Sequence, residues 1–262
     1  MRARKTIPAA IRIAGLGAVV ALVLPLLFIT VISFNNTTSL VFPPTGFSLR
    51  WYVNIFSTDQ FLNGFYYSIY LALLSTIVGL AAGTAVAFAI ARYKFVGRNA
   101  VNVLVMAPLI VPEVVMGLAL LVWFSSSGLG LGDAALITLH ALLVLPYIVR
   151  IVVASLQRTD KNLEDAAMLL GASPLRAVIR ITLPLISKGL AAATVFALVI
   201  SFQDFTATIF LITQRVTLPV AIFGYIRTEN DPTIAALSTL LIVIAGTTVW
   251  LIDRNLGIER VG

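Results

Sequence analysis

The 262-residue chain has no cysteine, a single histidine, and charge on only 11% of its residues. Without cysteine there are no disulfides, thiolate metal sites or cysteine nucleophiles, and the redox compartment stays open. No G-x-x-x-x-G-K-[ST] run occurs, so the chain does not cradle nucleotide phosphates itself. No H-E-x-x-H and no G-x-S-x-G occurs either, which removes the usual marks of an intramembrane hydrolase. No catalytic residue, metal ligand set or bound cofactor is expected of this chain. Gly128, Gly130 and Gly132 have no strand before them and read as a turn. What is abundant is apolar surface: 60% of residues are hydrophobic and mean hydropathy is +1.02. A soluble domain is about 45–50% apolar and about 25% charged. Lipid must therefore be the solvent for much of this chain. The net charge of +7 would suggest nucleic acid in a soluble protein. Here its distribution along the chain is what matters, and no nucleic-acid partner is expected.

A spanning helix needs about 20 apolar residues. Six stretches qualify, running roughly from Ile13 to Phe34, Tyr66 to Ala91, Ala100 to Phe124, Ala134 to Ile151, Gly189 to Ile212, and Thr233 to Ile252. The fold class is thus all-α, a polytopic transmembrane helical bundle of about six spans. Pro25, Gly79, Gly83, Pro108, Pro112, Gly117 and Pro146 fall inside these stretches. They are tolerated because no water competes for backbone groups in lipid. Pro108 and Pro112, four apart, predict a kink or a loosened turn in the third span. The first stretch is longer than the apolar core of a signal peptide and no A-x-A-like site follows, so it is read as an uncleaved span.

Lys and Arg set the orientation, because positively charged loops stay cytoplasmic. Fifteen of the eighteen fall in the N-terminus, the loop after span two, the segment between spans four and five, and the C-terminus. Only Arg50, Arg215 and Arg227 lie in the other loops. Both termini are expected in the cytoplasm, in agreement with an even number of spans.

The longest cytoplasmic loop, residues 156–187, is amphipathic and well punctuated. Asn162 or Asp160 can cap a short helix with Glu164 and Asp165 in its first turn. Gly171 suits the left-handed position that ends a helix. Ser173 then caps a second helix with Pro174 at its first position. Arg176 and Arg180 share one face of it, opposite Leu175, Val178, Ile179 and Leu183. This pattern fits a helix lying on the membrane surface or a docking surface for a cytoplasmic partner.

From Asp165 to Pro184 the loop resembles the cytoplasmic signature of ABC importer permeases. That signature is an acid, two alanines, three residues, Gly, nine residues, Ile, one residue, then Leu-Pro. Asp165, Ala166, Ala167, Gly171, Ile181, Leu183 and Pro184 hold those places, with both gaps at the expected length. The departure is Asp165 where the family usually has Glu. Further stretches resemble the spermidine/putrescine (polyamine) permease branch. They are V-I-S-F-N at 31–35, S-L-R-W-Y at 48–52, A-R-Y-K-F-x-G-R at 91–98, S-F-Q-D-F at 201–205 and T-L-P-V at 217–220. Gln203, where relatives often have an acid, and Thr213 to Val216, in place of a Thr-Gly-Pro turn, depart from that branch and bear on substrate identity.

The resemblance implies a type I ABC importer permease-like fold. Residues 1–262 would form one transmembrane permease domain, with residues 160–184 as ATPase-docking helices. It implies a bacterial inner-membrane, multi-pass location. It also implies a second permease subunit, two cytoplasmic ATPase subunits carrying ATP-Mg, and an extracytoplasmic solute-binding protein. The substrate expected first is a polyamine. Alternatives are ferric ion, an aminophosphonate, an oxyanion or another organic cation. A stand-alone secondary carrier or channel is the reading from another class.

Glu113, beside Pro112 in span three, and Asp204, in the outer half of span five, are acids inside apolar stretches. Such a charge costs roughly 2.5–3.5 kcal/mol at the bilayer centre on insertion scales, so it normally faces a polar interior. A cation in transit is one justification. A hydrogen bond to broken backbone near the prolines is another. Phe202 and Phe205, with Phe124 and Tyr147, are aromatic candidates for lining a cation route, against ordinary packing. His140, inside span four, is expected to be packed or hydrogen-bonded rather than a proton relay. Trp51 and Tyr52 would anchor a surface helix or meet a binding protein.

Overall fold

A computed structural model describes residues 9–256. Arg2, Arg4, Lys5 and Arg260, which contribute to the orientation argument, lie outside the described residues. In chain order the helices are α1 Ala9–Ile32, α2 Arg50–Ser57, α3 Asp59–Arg92, α4 Arg98–Met106, α5 Glu113–Ser126, α6 Asp133–Gln157, α7 Asn162–Leu169, α8 Pro174–Ala177, α9 Leu183–Leu185, α10 Ser187–Gln203, α11 Leu218–Thr228 and α12 Thr233–Leu256. Among the described residues the one extended pairing is an isolated antiparallel bridge between Asn35 and Phe47.

Each of the six predicted stretches contains a helix. Among the described residues three helices are long and apolar enough to cross a membrane, α1, α3 and α6; the number rises to five if each of two bent pairs is one span, and the sixth expected stretch counts only as a shorter apolar helix, Thr233–Thr248. The first bent pair is the predicted third span. There α4 passes through a 3-10 turn, Ala107–Leu109, and breaks; α5 departs at 102°. Pro112 has no N–H to donate and holds an extended conformation (φ −56°, ψ 134°), and it biases Val111 away from the helix. The expected kink is therefore a full break, and Glu113 opens a new helix instead of sitting mid-span. The second bent pair turns by 72° between the 174–185 segment and α10. The predicted fifth span ran on to Ile212, but α10 stops at Gln203. Asp204 is extended (φ −66°, ψ 123°) and its side chain takes the Thr208 N–H, offering the backbone an alternative to the helix.

The chain divides into two compact units. The first comprises residues up to Leu62 together with those from Ile222 onward. In it α12 packs on α1 and α2. Most of α1 is exposed, as suits a helix whose solvent is lipid. Trp51 is buried and donates its indole N–H to the Asn35 carbonyl at 2.6 Å, and Tyr52 meets the Ser33 hydroxyl at 2.7 Å. These aromatics fasten α2 to the loop before it, so Trp51 is a packing residue, neither a free anchor nor a docking side chain. Asn54 donates to Thr233 Oγ1 at 2.9 Å and ties α2 to the start of α12.

The second unit, Asn63–Ala221, is centred on α6. Leu136, Leu139, Val144, Ile148, Val152 and Leu156 are all essentially inaccessible. Between helices in lipid, association rests on close packing and interhelical hydrogen bonds, so small residues gather at the seams. On α10, Ala193 and Ala197 have no exposed surface. On α3, a Cβ at Gly79 would lie 2.7 Å from Val144 Cγ2, and one at Gly83 would lie 2.8 Å from Ile148 Cγ2. Gly79→Val is therefore expected to cost about 1–3 kcal/mol by overpacking. Gly246→Val, where nothing lies within 4 Å, is the matched control. Thermal unfolding in detergent checks this: a lowered midpoint for the first variant alone is expected.

Candidate functional site: a cleft with two acids and a helix–glycine–helix projection

Within the second unit a cleft of about 280 Å³ is lined by Glu113, Leu143, Tyr147, Ile200, Gln203, Asp204, Phe205 and Thr206. It forms where two helices are interrupted. Glu113 is the first residue of α5, exposed, after the break at Pro112. The partial positive charge of a helix N-terminus favours a carboxylate at that place. Asp204 is the residue at which α10 ends, and it is buried. A helix C-terminus disfavours negative charge, so Asp204 needs donors, and Thr208 supplies two. Its backbone N–H donates to Asp204 Oδ2 at 3.0 Å and its hydroxyl donates to the same oxygen at 2.5 Å. The predicted acids thus share one cleft although they lie ninety-one residues apart in sequence.

The aromatics divide. Phe205 and Tyr147 line the cleft. Phe202 is not among the lining residues and meets Phe65 edge-on at 5.9 Å. Phe124 is buried in a core cluster with Tyr67, Leu71 and Leu139.

Behind Asp204 runs a buried chain of hydrogen bonds. His140 Nε2 lies 2.9 Å from Thr208 Oγ1, His140 Nδ1 lies 2.8 Å from Ser201 Oγ, and Ser201 Oγ lies 3.0 Å from Ser75 Oγ. Counting hydrogens assigns the directions. Thr208 spends its hydroxyl hydrogen on the Asp204 carboxylate. It can only accept from His140, so Nε2 carries the ring hydrogen. Nδ1 then accepts from Ser201, whose hydroxyl oxygen lies 3.0 Å from Ser75 Oγ, while Ser75 spends its own hydrogen on the Leu71 carbonyl at 2.7 Å. One neutral imidazole satisfies both Ser201 and Thr208. His140 is the hydrogen-bonded core residue expected from the sequence. Mid-span hydroxyls at Ser75, Ser201 and Thr208 were the signal for this chain of bonds, but three unrelated positions in sequence gave no spacing to read.

The 160–186 segment folds largely as its punctuation implies. Asp160 Oδ1 accepts the Asn162 N–H at 2.9 Å and leads into α7. Gly171 has φ 91°; the Ala172 N–H bonds back to Ala167 O and the Gly171 N–H to Met168 O, a Schellman ending of α7. Ser173 Oγ accepts the Arg176 N–H at 3.4 Å, with Pro174 in the first turn of α8. Between α8 and α9 the chain makes a π-helical turn, Val178–Thr182. The wider turn shifts the helical phase, so Ala177, Thr182 and Ile186 are buried while Leu175 and Ile179 stay exposed. Leu169 and Leu170 are 88% and 90% exposed at the tip. Of the signature positions, Ala166, Gly171 and Pro184 are exposed, and Asp165, Ala167, Ile181 and Leu183 are half-buried.

Residues 75–255 match the family described as the binding-protein-dependent transport system inner membrane component. The chain belongs to this family, the permease subunits of ABC importers. It is 30% identical to the putrescine transport system permease protein PotI of Escherichia coli (strain K12), over 90% of this chain and 88% of that protein. It is 29% identical to the spermidine/putrescine transport system permease protein PotC of Haemophilus influenzae, over 79% of this chain and 80% of that one. In fold it matches a chain from the crystal structure of a bacterial ABC transporter that imports the acidic polysaccharide alginate. That match has a TM-score of 0.70 at 13% identity and covers 95% of this chain and 98% of the other. The type I permease architecture implied by the signature is therefore the one observed, in a multi-pass membrane protein.

His140→Leu keeps the volume but leaves Ser201 and Thr208 short of a partner. Stranding buried polar groups costs about 1–3 kcal/mol. The expected outcome is a lower unfolding midpoint in detergent; an unchanged midpoint would contradict the assigned hydrogen-bond chain.

Proposed function

We propose that this permease moves a small organic cation, with polyamines such as putrescine and spermidine first, from an extracytoplasmic binding protein into the cytoplasm. The observation that carries this reading is the pairing of Glu113 and Asp204 with Tyr147 and Phe205 around one cleft among apolar helices. Two carboxylates supply charge for an elongated cation with two amino groups. The aromatic faces add cation–π attraction, worth about 2 kcal/mol when desolvated. The names borne by the two polyamine relatives support the same class. Ferric ion, an aminophosphonate, an oxyanion or another organic cation would need a different balance of charge in this cleft.

The remaining machinery follows the family's logic. Both termini lie in the cytoplasm, consistent with the Lys and Arg bias. Residues 1–262 serve as one permease domain paired with a second permease subunit. Two cytoplasmic ATPases holding ATP-Mg dock on residues 160–184. This chain has no ATPase site and acts as no enzyme. The exposed Leu169 and Leu170, projecting from a rigid helix–Gly–helix turn, supply the apolar knob that a groove on an ATPase would take. Closure of the ATPases on ATP moves the docking helices and opens the bundle outward. Substrate enters the cleft from the binding protein and leaves inward after hydrolysis.

Two tests separate the parts. Glu113 makes no hydrogen bond that holds the fold, so Glu113→Gln should lower putrescine uptake by the assembled transporter by about tenfold or more, the scale of one lost charge contact, while the complex still assembles. Uptake at the wild-type rate would remove Glu113 from the route. Ala167→Arg, or Gly171→Pro at the left-handed φ, should abolish uptake and release the ATPases while the chain still inserts. Normal uptake in both variants would overturn the docking assignment.

A further inference from the structure

The short helix α7 is built inside out. Leu163, Met168 and Leu169 are exposed, and its one buried residue is an acid, Glu164. Glu164 Oε1 lies 3.1 Å from Arg92 Nη2, and the two side chains are only 11% and 10% accessible. Arg92 is the last residue of α3, and the same Nη2 donates to Thr159 Oγ1 at 2.7 Å. Thr159, just beyond α6, in turn donates to the Leu156 carbonyl at 2.8 Å. One guanidinium thus joins the C-terminal ends of α3 and α6 to the first turn of α7. Helix dipoles favour both charges where they stand: the cation ends α3 and the acid begins α7.

A surface ion pair would matter little. This one is nearly enclosed, and removing one partner would leave the other charge buried and unpaired, the costly case. No apolar side chain of α7 does the same work, because its leucines point away from the chain. Of the helices that Arg92 joins, α6 lines the cleft through Leu143 and Tyr147, and α3 packs against α6. α6 also carries His140, and α3 carries Ser75, whose Oγ lies 3.0 Å from Ser201 Oγ.

We propose that Arg92 is a positioning residue for energy coupling. Its clamp on Glu164 and Thr159 makes α7 move as one body with the ends of α3 and α6, so that a displacement of the docking segment reaches the helices around the cleft. The inference rests on the docking reading given above. The signature acid is Asp165; Glu164 is its neighbour and has a separate task, facing inward to Arg92.

The absence of cysteine gives a clean background for the test. Spin labels are placed by Val96→Cys, beyond α3, and Asn162→Cys, at the start of α7 and away from the Leu169–Leu170 knob; both sites are exposed. Distances are measured by pulsed electron resonance in the complete transporter, with and without a non-hydrolysable ATP analogue. With the native pair, one narrow distance is expected, unchanged by nucleotide. R92Q and E164Q should broaden it and make it shift with nucleotide, and the reversed pair R92E/E164R should restore the narrow distance. Narrow distributions in both single variants, or broadening that the reversed pair does not correct, would overturn the proposal. Copurification separates this from the docking reading. ATPases retained by R92Q but lost from A167R uphold docking whichever way the distances fall, whereas ATPases retained by A167R remove docking itself.

Discussion

In hydrocarbon a backbone N–H or C=O has no water to bond, so every interruption of a spanning helix has to be satisfied by protein or face a polar cavity. The second unit is organised around that constraint. Its two interruptions, at Pro112 and at Asp204, converge on one cleft, and each comes with a carboxylate. At the first, the freed N-terminus of α5 offers positive dipole to Glu113. At the second, the Asp204 side chain accepts the Thr208 N–H and hydroxyl and so satisfies the backbone that follows α10. The polar character of the cleft and the integrity of the broken helices are thus the same feature. Mutating Asp204 therefore touches function and local structure together, whereas Glu113 carries no such bond.

Around the cleft the helices hold together by fit. Gly79 and Gly83 admit Val144 and Ile148, and Gly189 lies against Ser155. Ala193 and Ala197 let α10 lie flat on α6. Since lipid tails are as apolar as leucine, such seams replace the hydrophobic drive of a soluble core. The buried hydroxyl–imidazole chain from Ser201 to Asp204 adds direction to the seams, because the His140 ring completes both the Ser201 and the Thr208 hydroxyl. The same economy appears at the other end of α3, where a single arginine serves α6 and α7.

Much of this was legible in the residues. Hydropathy marked a helix in each of the six stretches, and five of them hold a span once each bent pair is taken as one. The 160–184 segment was legible in detail, since turns and caps obey local chemistry: Gly171, Ser173 and Pro174 each do what their type dictates, and Asp160 takes the Asn162 N–H although Lys161 stands at the head of α7. The cleft was half legible. Glu113 and Asp204 stood out as charges in apolar stretches, yet nothing in the sequence said that they share a cavity. The end of α10 at Gln203 was missed, because apolarity continues to Ile212 while Asp204 competes for the backbone. Phe202 shares its type with Phe205 but not its setting, because Phe202 lies inside α10 and Phe205 beyond its end. The Arg92–Glu164 clamp was hidden for a related reason. Arg92 read as a loop charge and Glu164 as a first-turn acid of a short helix, and only the fold shows them turned inward to each other.

The central claim is that this chain works as one permease subunit of an ATP-driven importer. The most direct measurement is recovery of the tagged chain from its native membrane in mild detergent, with the copurifying proteins identified by mass. The account predicts an ATPase, a second permease copy or homologue, and a solute-binding protein whose pocket suits a small organic cation. A stable, monodisperse chain recovered alone, able to drive uptake into vesicles with an ion gradient, would contradict it.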